Sequence, residues 1–278
     1  MEPQRALAVA SYIVRGIGVI RAAAPKPWKK IHKAADDSLD SFTTMVTEAF
    51  KKAHAAIDAG KLRRALDKKD HAGAEAAVEP AVISMKKTLA KKLPDLLTEV
   101  VKAGGDAAAE NLNAALGLRA AAPKSLSIEM QFDVTNPKAV KWVKEHALRL
   151  VDDLSKTTIE NLRDVILSGF EEEKTVDEIA KEIADVIDDS ARAEMIARTE
   201  TMEAANEGQS QLWDQAIEDG FLTGKERQVW IVTDDDRLCP ECADLDGEEA
   251  ELDGEFPGDG GDGPPLHPNC RCTVGLVL

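Results

Sequence analysis

A mainly α protein with a small β-rich module at its C-terminal end, α+β overall, is the fold class that this chain predicts. Three observations carry it. Aromatic residues make up only 4% of the 278 residues, and alanine is abundant, a composition that favours helix. Apolar residues recur at three- and four-residue intervals through most of the chain before the last sixty positions. All four cysteines, with one of the five histidines, fall in the last forty residues, where short β-branched runs replace the helical period.

The elements follow in order. Residues 6–20 (ALAVASYIVRGIGVI) form an apolar run interrupted by Arg15. It reads as a docking or packing helix rather than a signal peptide, and it is too short for a membrane span, which needs roughly 20 apolar residues. Pro25 and Pro27 separate it from a helix over roughly 28–59, whose Leu39, Phe42, Val46, Ala49 and Phe50 keep three-four spacing, with Gly60 as its stop. A third helix is expected over 73–102, with Pro80 near its first turns, Pro94 as a kink and Gly104-Gly105 as its end. Together these give an elongated helical N-terminal part. Gly117–Pro123 reads as a linker of small residues.

Leu126, Ile128, Met130 and Phe132 alternate with polar residues, the period of a half-buried strand over 125–133. Thr135-Asn136-Pro137 supplies a cap and a proline for the first turn of a helix over 137–153. A further helix runs to Ser168 and closes at Gly169. Thr175-Val-Asp-Glu178 is a capping box ahead of a helix at 176–188. The longest helix spans about 190–219 and ends at Gly220. Gln228–Thr233 (QVWIVT) and Thr273–Leu278 (TVGLVL) read as two strands that pair, and repeated Asp-Gly steps between them mark turns. The chain then divides into a basic helical region (1–122), a strand-plus-helix core (123–225) and a β module (226–278).

Charge is unevenly spread within a net of −16: residues 1–104 carry 19 Lys/Arg against 12 Asp/Glu, and the remainder carries 16 against 39. An acidic body argues against nucleic-acid binding by the C-terminal part. The basic N-terminal part stays open to DNA or to an acidic protein.

Cys239-Pro-Glu-Cys242 and His267-Pro-Asn-Cys270-Arg-Cys272 are two close clusters of soft ligands separated by 24 residues. In a reducing compartment such clusters bind metal more often than they form disulfides. Five candidates compete for the four places of a tetrahedral zinc ion. The spacing favours Cys239, Cys242, His267 and Cys270, with Cys270 and Cys272 as the competing pair. Four protein ligands leave no open position, so a bound zinc is structural and holds a core too small to be stable alone. Asp234–Asp262 holds 13 carboxylates and one Arg. It lacks the order of a calcium loop and reads as solvated acidic loop.

Arg198–Thr201 reads as a polar helical face, and Trp213 and Trp230 as buried between the long helix and the β module. His32, His54, His71 and His146 lie on predicted helices without a partner at a telling spacing and read as surface residues. Metalloprotease, nucleophile-elbow and phosphate-loop motifs are all missing, so no catalytic residues are expected.

Taken in order, Ile196-Ala-Arg-Thr-Glu-Thr201, Ala204-Ala-Asn206, Trp230, Asp236-x-x-Cys239-x-x-Cys242, Leu245-Asp-Gly247 and Pro264-Pro-Leu-His-Pro-Asn-Cys-Arg-Cys272 resemble the minor head proteins of tailed bacteriophages, of the Mu protein F head-morphogenesis type. Phe132-Asp-Val-Thr-Asn-Pro137 adds to the likeness, which covers about 125–278. The resemblance implies a low-copy capsid protein of the virion, made in the host cytoplasm. It implies association with the portal during procapsid assembly, a contact to major capsid or scaffolding protein, and a role in DNA packaging or ejection, with the basic N-terminal region as the candidate DNA contact and no membrane. Many members of this family have Arg and His where this chain has Cys239 and Cys242, so the cysteine-rich version strengthens the zinc reading here. Some relatives carry a toxin or ADP-ribosyltransferase domain beyond this module; six residues follow Cys272, so none is expected. The competing readings are a zinc-dependent hydrolase (a maturation protease or nuclease) with Glu241 or Asp236 as base, and a zinc-knuckle nucleic-acid binder, which the acidic surroundings oppose.

Overall fold

The computed structural model describes residues 28–117, 129–233 and 237–278. The apolar run 6–20, Pro25 and Pro27, most of the linker 117–123, residues 125–128 and Asp234–Asp236 lie outside the described residues. Helices dominate: α1 (Trp28–Ala56), α2 (Ala59–Asp67), α3 (His71–Ala115), α4 (Pro137–Glu171), α5 (Val176–Ile187), α6 (Ser190–Glu218) and a single turn, α7 (Pro240–Ala243). The strands are β1 (Arg227–Ile231), β2 (Glu249–Glu251) and β3 (Thr273–Val277). The mainly α class with a small β module is what the chain adopts.

Two compact units form, each from segments far apart in sequence: residues 40–97 with 141–197, and 28–39 with 98–140 and 198–278.

In the first unit, α5 shows how the sequence sets an element. Thr175 accepts the Glu178 N–H, and the Glu178 carboxylate accepts the Thr175 N–H at 2.7 Å, so both ends of the capping box are closed. Ile179, Ile183 and Ile187 recur every four residues and are all buried. Gly169 does not end a helix here. It sits inside α4, where a Cβ would lie 2.5 Å from Ile179 Cγ1, so its bare backbone lets α5 approach. The two helices expected over 137–168 are one, because no breaker stands between them. Gly60 likewise lies in the first turn of α2, behind the cap Asp58, whose carboxylate accepts the Lys61 N–H.

His146 also departs from expectation. It is buried and stacks on Trp142 with ring centroids 4.4 Å apart. His54 gains a partner that spacing could not show, Asp188, 134 residues away and 2.5 Å distant. Arg63 pairs with Asp177, and Lys86 with Asp152. In the other unit Lys30 pairs with Glu110. The basic surplus of residues 1–104 is therefore partly neutralised by carboxylates from the acidic remainder.

In the second unit, Gly104 and Gly105 do not terminate α3, which runs on to Ala115. They mark where α3 crosses α6: a Cβ on Gly104 would lie 2.2 Å from the Ala205 carbonyl oxygen, and one on Gly208 would lie 2.0 Å from that of Val101.

The alternation at Met130 and Phe132 is real in burial, with both buried and Gln131 exposed, yet residues 129–133 form no strand. Side-chain amides stand in for a neighbouring strand. Asn113 donates to the Met130 carbonyl and accepts its N–H at 2.9 and 2.8 Å. Gln215 does the same for Gln131 O and Asp133 N–H. Each amide uses one N–H and its oxygen here, the same donor and acceptor pair that a strand backbone presents. Asn136 then accepts the Ala139 N–H and Pro137 opens α4, as the motif predicts.

The sheet is antiparallel with order β2-β1-β3. β1 pairs with the terminal strand from Arg227↔Val277 to Ile231↔Thr273, as expected; β2 was not legible beforehand. No described helix is long and apolar enough to cross a membrane.

Candidate metal centre

Cys239 and Cys242 are placed by α7. Cys239 is its N-cap, Pro240 opens the turn, and the Cys239 sulfur accepts the Cys242 N–H at 3.3 Å. A cysteine two residues into a proline-started turn points its sulfur the same way as the cap. His267 and Cys270 come from a tight turn in which the Cys270 N–H donates to the His267 carbonyl at 3.0 Å. Asn269 takes φ 64° there, a left-handed conformation that asparagine tolerates. Cys272 lies one residue before β3.

All five predicted donors come together. Cys239, Cys242 and His267 form one group, and Cys242, Cys270 and Cys272 another, with ligand atoms in each group within 4.8 Å of one another. His267 Nε2 stands 3.1 Å from the Cys239 sulfur and 3.3 Å from that of Cys242, which is 3.8 Å from the Cys270 sulfur. For a tetrahedral ion with metal–sulfur bonds of about 2.3 Å, the edges of the tetrahedron are about 3.8 Å between sulfurs and about 3.5 Å from nitrogen to sulfur. These three separations are near those edges, so the cluster is close enough to bind a metal. His267 Nδ1 lies 2.8 Å from the Pro268 carbonyl, to which it donates, leaving the Nε2 lone pair for the centre.

Electrostatics within the cluster are divided. The hydrogen bond from Cys272, more than any other influence, holds the Cys270 thiol down at about 5. The same bond, then burial, pushes Cys272 up. Burial, then Cys239, pushes Cys242 up to about 12. Burial works against ionisation of Cys239 as well, but the Cys242 N–H and thiol and His267 together bring it below its ordinary value. His267 is raised, first by the Pro268 carbonyl. Thiols this close compete for ionisation, a conflict that a bound cation relieves.

What surrounds the cluster was the least legible part. The polar face at Arg198–Thr201 is turned to the second cluster. Thr199 Oγ1 accepts the Asn269 N–H at 2.9 Å, and Arg198 reaches the Asn269 side chain. Two turns on, buried Asn206 donates to the carbonyls of Pro264 and Cys272 and accepts from the Thr273 hydroxyl at 2.6 Å. Gln209 donates to the Val274 carbonyl at 2.8 Å. α6 thus grips the His267–Cys272 segment and covers the outer edge of β3 with amide donors. The sequence around them carries no local signal, since Glu203, Glu207, Ser210 and Gln211 are polar neighbours on the same helix.

The 24 residues between the two clusters are more ordered than an acidic loop implies. β2 pairs with β1 (Gln228↔Ala250), Phe256 bridges Gly261, and the Phe256 ring meets Trp230 edge-on at 5.2 Å. Gln228, buried on β1, donates to the carbonyls of Glu251 and Gly254. Trp230 and Trp213 are buried as expected. Glu241 is exposed beside Cys242.

Residues 160–275 match the sequence model of the family described as Phage Mu protein F like protein. The matched span takes in the end of α4, α5, α6, the sheet and all five metal-ligand candidates; Phe132–Pro137 lies upstream of it. No curated protein and no solved structure matches the chain.

Proposed function

We propose, on the premise that residues 160–275 make this chain a head protein of the Mu protein F type, that it is a minor capsid protein of a tailed bacteriophage whose C-terminal module is closed by a structural zinc ion. The observation that carries the reading is the coincidence of the family match with one physical object. The matched residues on α6 and those of the His267–Cys272 segment are the two sides of a single hydrogen-bonded clamp. Zinc, held by four of Cys239, Cys242, His267, Cys270 and Cys272, would tie α7 to the entrance of β3 and have no open position for a substrate. The role is therefore assembly rather than chemistry.

The partner in this reading is the portal during procapsid assembly, with major capsid or scaffolding protein next to it, and the chain stays in the virion. DNA contact through the basic N-terminal region has less support, because Lys30, Arg63 and Lys86 already hold carboxylates.

Mass spectrometry of purified proheads and mature heads tests this, combined with chemical cross-linking. The chain should be present at low copy and cross-link to portal. Its absence from both particles, or cross-links confined to proteins outside the head, would overturn the assignment.

A further inference from the structure

The metal cluster has one donor more than a tetrahedral ion uses, and the surplus is arranged rather than scattered. The two groups of three share a single atom, the Cys242 sulfur. On one side stand Cys239 and His267, both half-buried; on the other stand Cys270 and Cys272, which are 1% and 3% exposed. Cys242 is itself 2% exposed and faces both sides, at 3.3 Å from His267 Nε2 and 3.8 Å from Cys270.

The two competing donors are held by different parts of the fold. Cys272 is fixed from outside the cluster: Asn206 of α6 binds its carbonyl, and Thr273 behind it is the first residue of β3 and pairs with Ile231. The imidazole of His267 is held by its own neighbour, the Pro268 carbonyl, on Nδ1, and by the Cys239 and Cys242 sulfurs on Nε2. A cysteine whose backbone is held by α6 and the sheet and a histidine whose ring is held at a turn therefore belong to different groups that share Cys242.

We propose that His267 and Cys272 are alternative fourth ligands of one zinc ion, with Cys239, Cys242 and Cys270 common to both sets. This deepens the zinc reading above and rests on it. In one arrangement the ion has three sulfurs and one nitrogen. In the other a zinc–sulfur bond to Cys272 replaces the zinc–nitrogen bond to His267, the Cys272 thiol gives its proton to solvent, and no electron moves. Cys272 already lies within 4.8 Å of two of the common ligands, Cys242 and Cys270, so the exchange asks only that the side chains close around the ion toward Cys239. It would let the turn at His267–Asn269 detach from the ion while the buried sulfurs keep it.

The test uses the full-length chain and its variants, purified with zinc. Zinc per chain is measured by elemental analysis, folding by far-ultraviolet circular dichroism, and the sulfur count by the thiolate-to-metal absorption of the cobalt-substituted protein. Wild type, His267→Ala and Cys272→Ala should each hold about one ion per chain. The double variant and Cys242→Ala should lose it. The cobalt band of His267→Ala should gain intensity over wild type as a sulfur replaces the nitrogen, and that of Cys272→Ala should not. If wild type holds no zinc, the zinc reading itself fails. If wild type holds zinc but either single variant does not, that residue is obligatory and the exchange is wrong. Retention by the double variant also overturns it. Should His267→Ala fail to fold, His267→Gln keeps the turn's bulk, and the same outcomes apply.

Discussion

Gly208→Ala should destabilise the chain although alanine is the better helix former. Gly208 lies in α6 where α3 crosses it, and a Cβ there would stand 2.0 Å from the Val101 carbonyl oxygen and 2.8 Å from the Gly105 nitrogen. Real Cβ contacts essentially never fall under 3.0 Å, so the two backbones must part by about 1 Å. A gap of that size forfeits roughly a quarter to a half of each contact's dispersion energy along the crossing. Overpacking against atoms that can rotate away costs about 1–3 kcal/mol; here the obstacle is backbone, which puts the cost near ~3 kcal/mol. Helix propensity returns about 1 kcal/mol. The net is about 2 kcal/mol, or about 4–8 °C in Tm for a unit of this size. Gly60→Ala is the control. Its Cβ would meet nothing closer than 3.5 Å, and Gly60 sits in the first turn of α2, so the substitution should stabilise by about 0.5–1 kcal/mol. Thermal and guanidinium unfolding followed at 222 nm reads both. A Gly208→Ala protein as stable as wild type, or a Gly60→Ala protein destabilised as much, would refute the crossing geometry.

Asn206→Ala removes one residue from three hydrogen bonds and leaves the Thr273 hydroxyl and two carbonyls buried without it, so it should cost about 2–3 kcal/mol of unfolding free energy, read by guanidinium titration. Burial acts to raise the Glu226 pKa, but the N–H groups of Thr223 and Gly224 and the Thr223 hydroxyl outweigh it and leave the pKa lowered. A folded pKa below the unfolded one gives stability that is present above the ordinary carboxylate range and is lost as pH falls through the folded value. The Tm difference between wild type and Glu226→Gln should thus be largest near neutrality and close under acid. If zinc closes the module, a chelator should lower Tm and stoichiometric zinc should restore it, with unfolding curves read before and after.

How far the chain could be read in advance depended on how local each cause was. Thr175 and Glu178 set the start of α5 three residues apart, and Asn136-Pro137 sets that of α4; such causes are visible in any window of the sequence. The pairing of β1 with β3 was legible because both runs are β-branched and close the same short module. Glycine misled, because its meaning depends on what lies across from it. Gly104, Gly105 and Gly169 look like stops, yet they are where another element comes near. The run at 129–133 misled for a related reason: the alternation reported burial correctly, but the partners were the side chains of Asn113 and Gln215 rather than a strand. β2 was hidden because Glu-Ala-Glu is too short and too acidic to stand out from its loop.

The five metal-ligand candidates were found from spacing alone, since each cluster is local. What binds the second cluster was not, because Thr199, Asn206 and Gln209 lie 68, 61 and 58 residues before its first member, His267. Once these are placed, the ordered set that resembles phage head proteins acquires one explanation. Arg198 and Thr199 hold the turn at Asn269, Asn206 and Gln209 hold the backbone from Pro264 to Val274, and Trp230 fills the sheet beneath against Phe256. Most of these groups face inward, so they build the module rather than greet a partner. If the proposed assembly role holds, a surface that meets the portal would use other residues, and variants that abolish assembly without lowering Tm should map to exposed positions outside this set. If instead they cluster on Asn206, Gln209 and Trp230 with stability unchanged, the clamp is itself the contact and the separation of interior from interface drawn here is wrong.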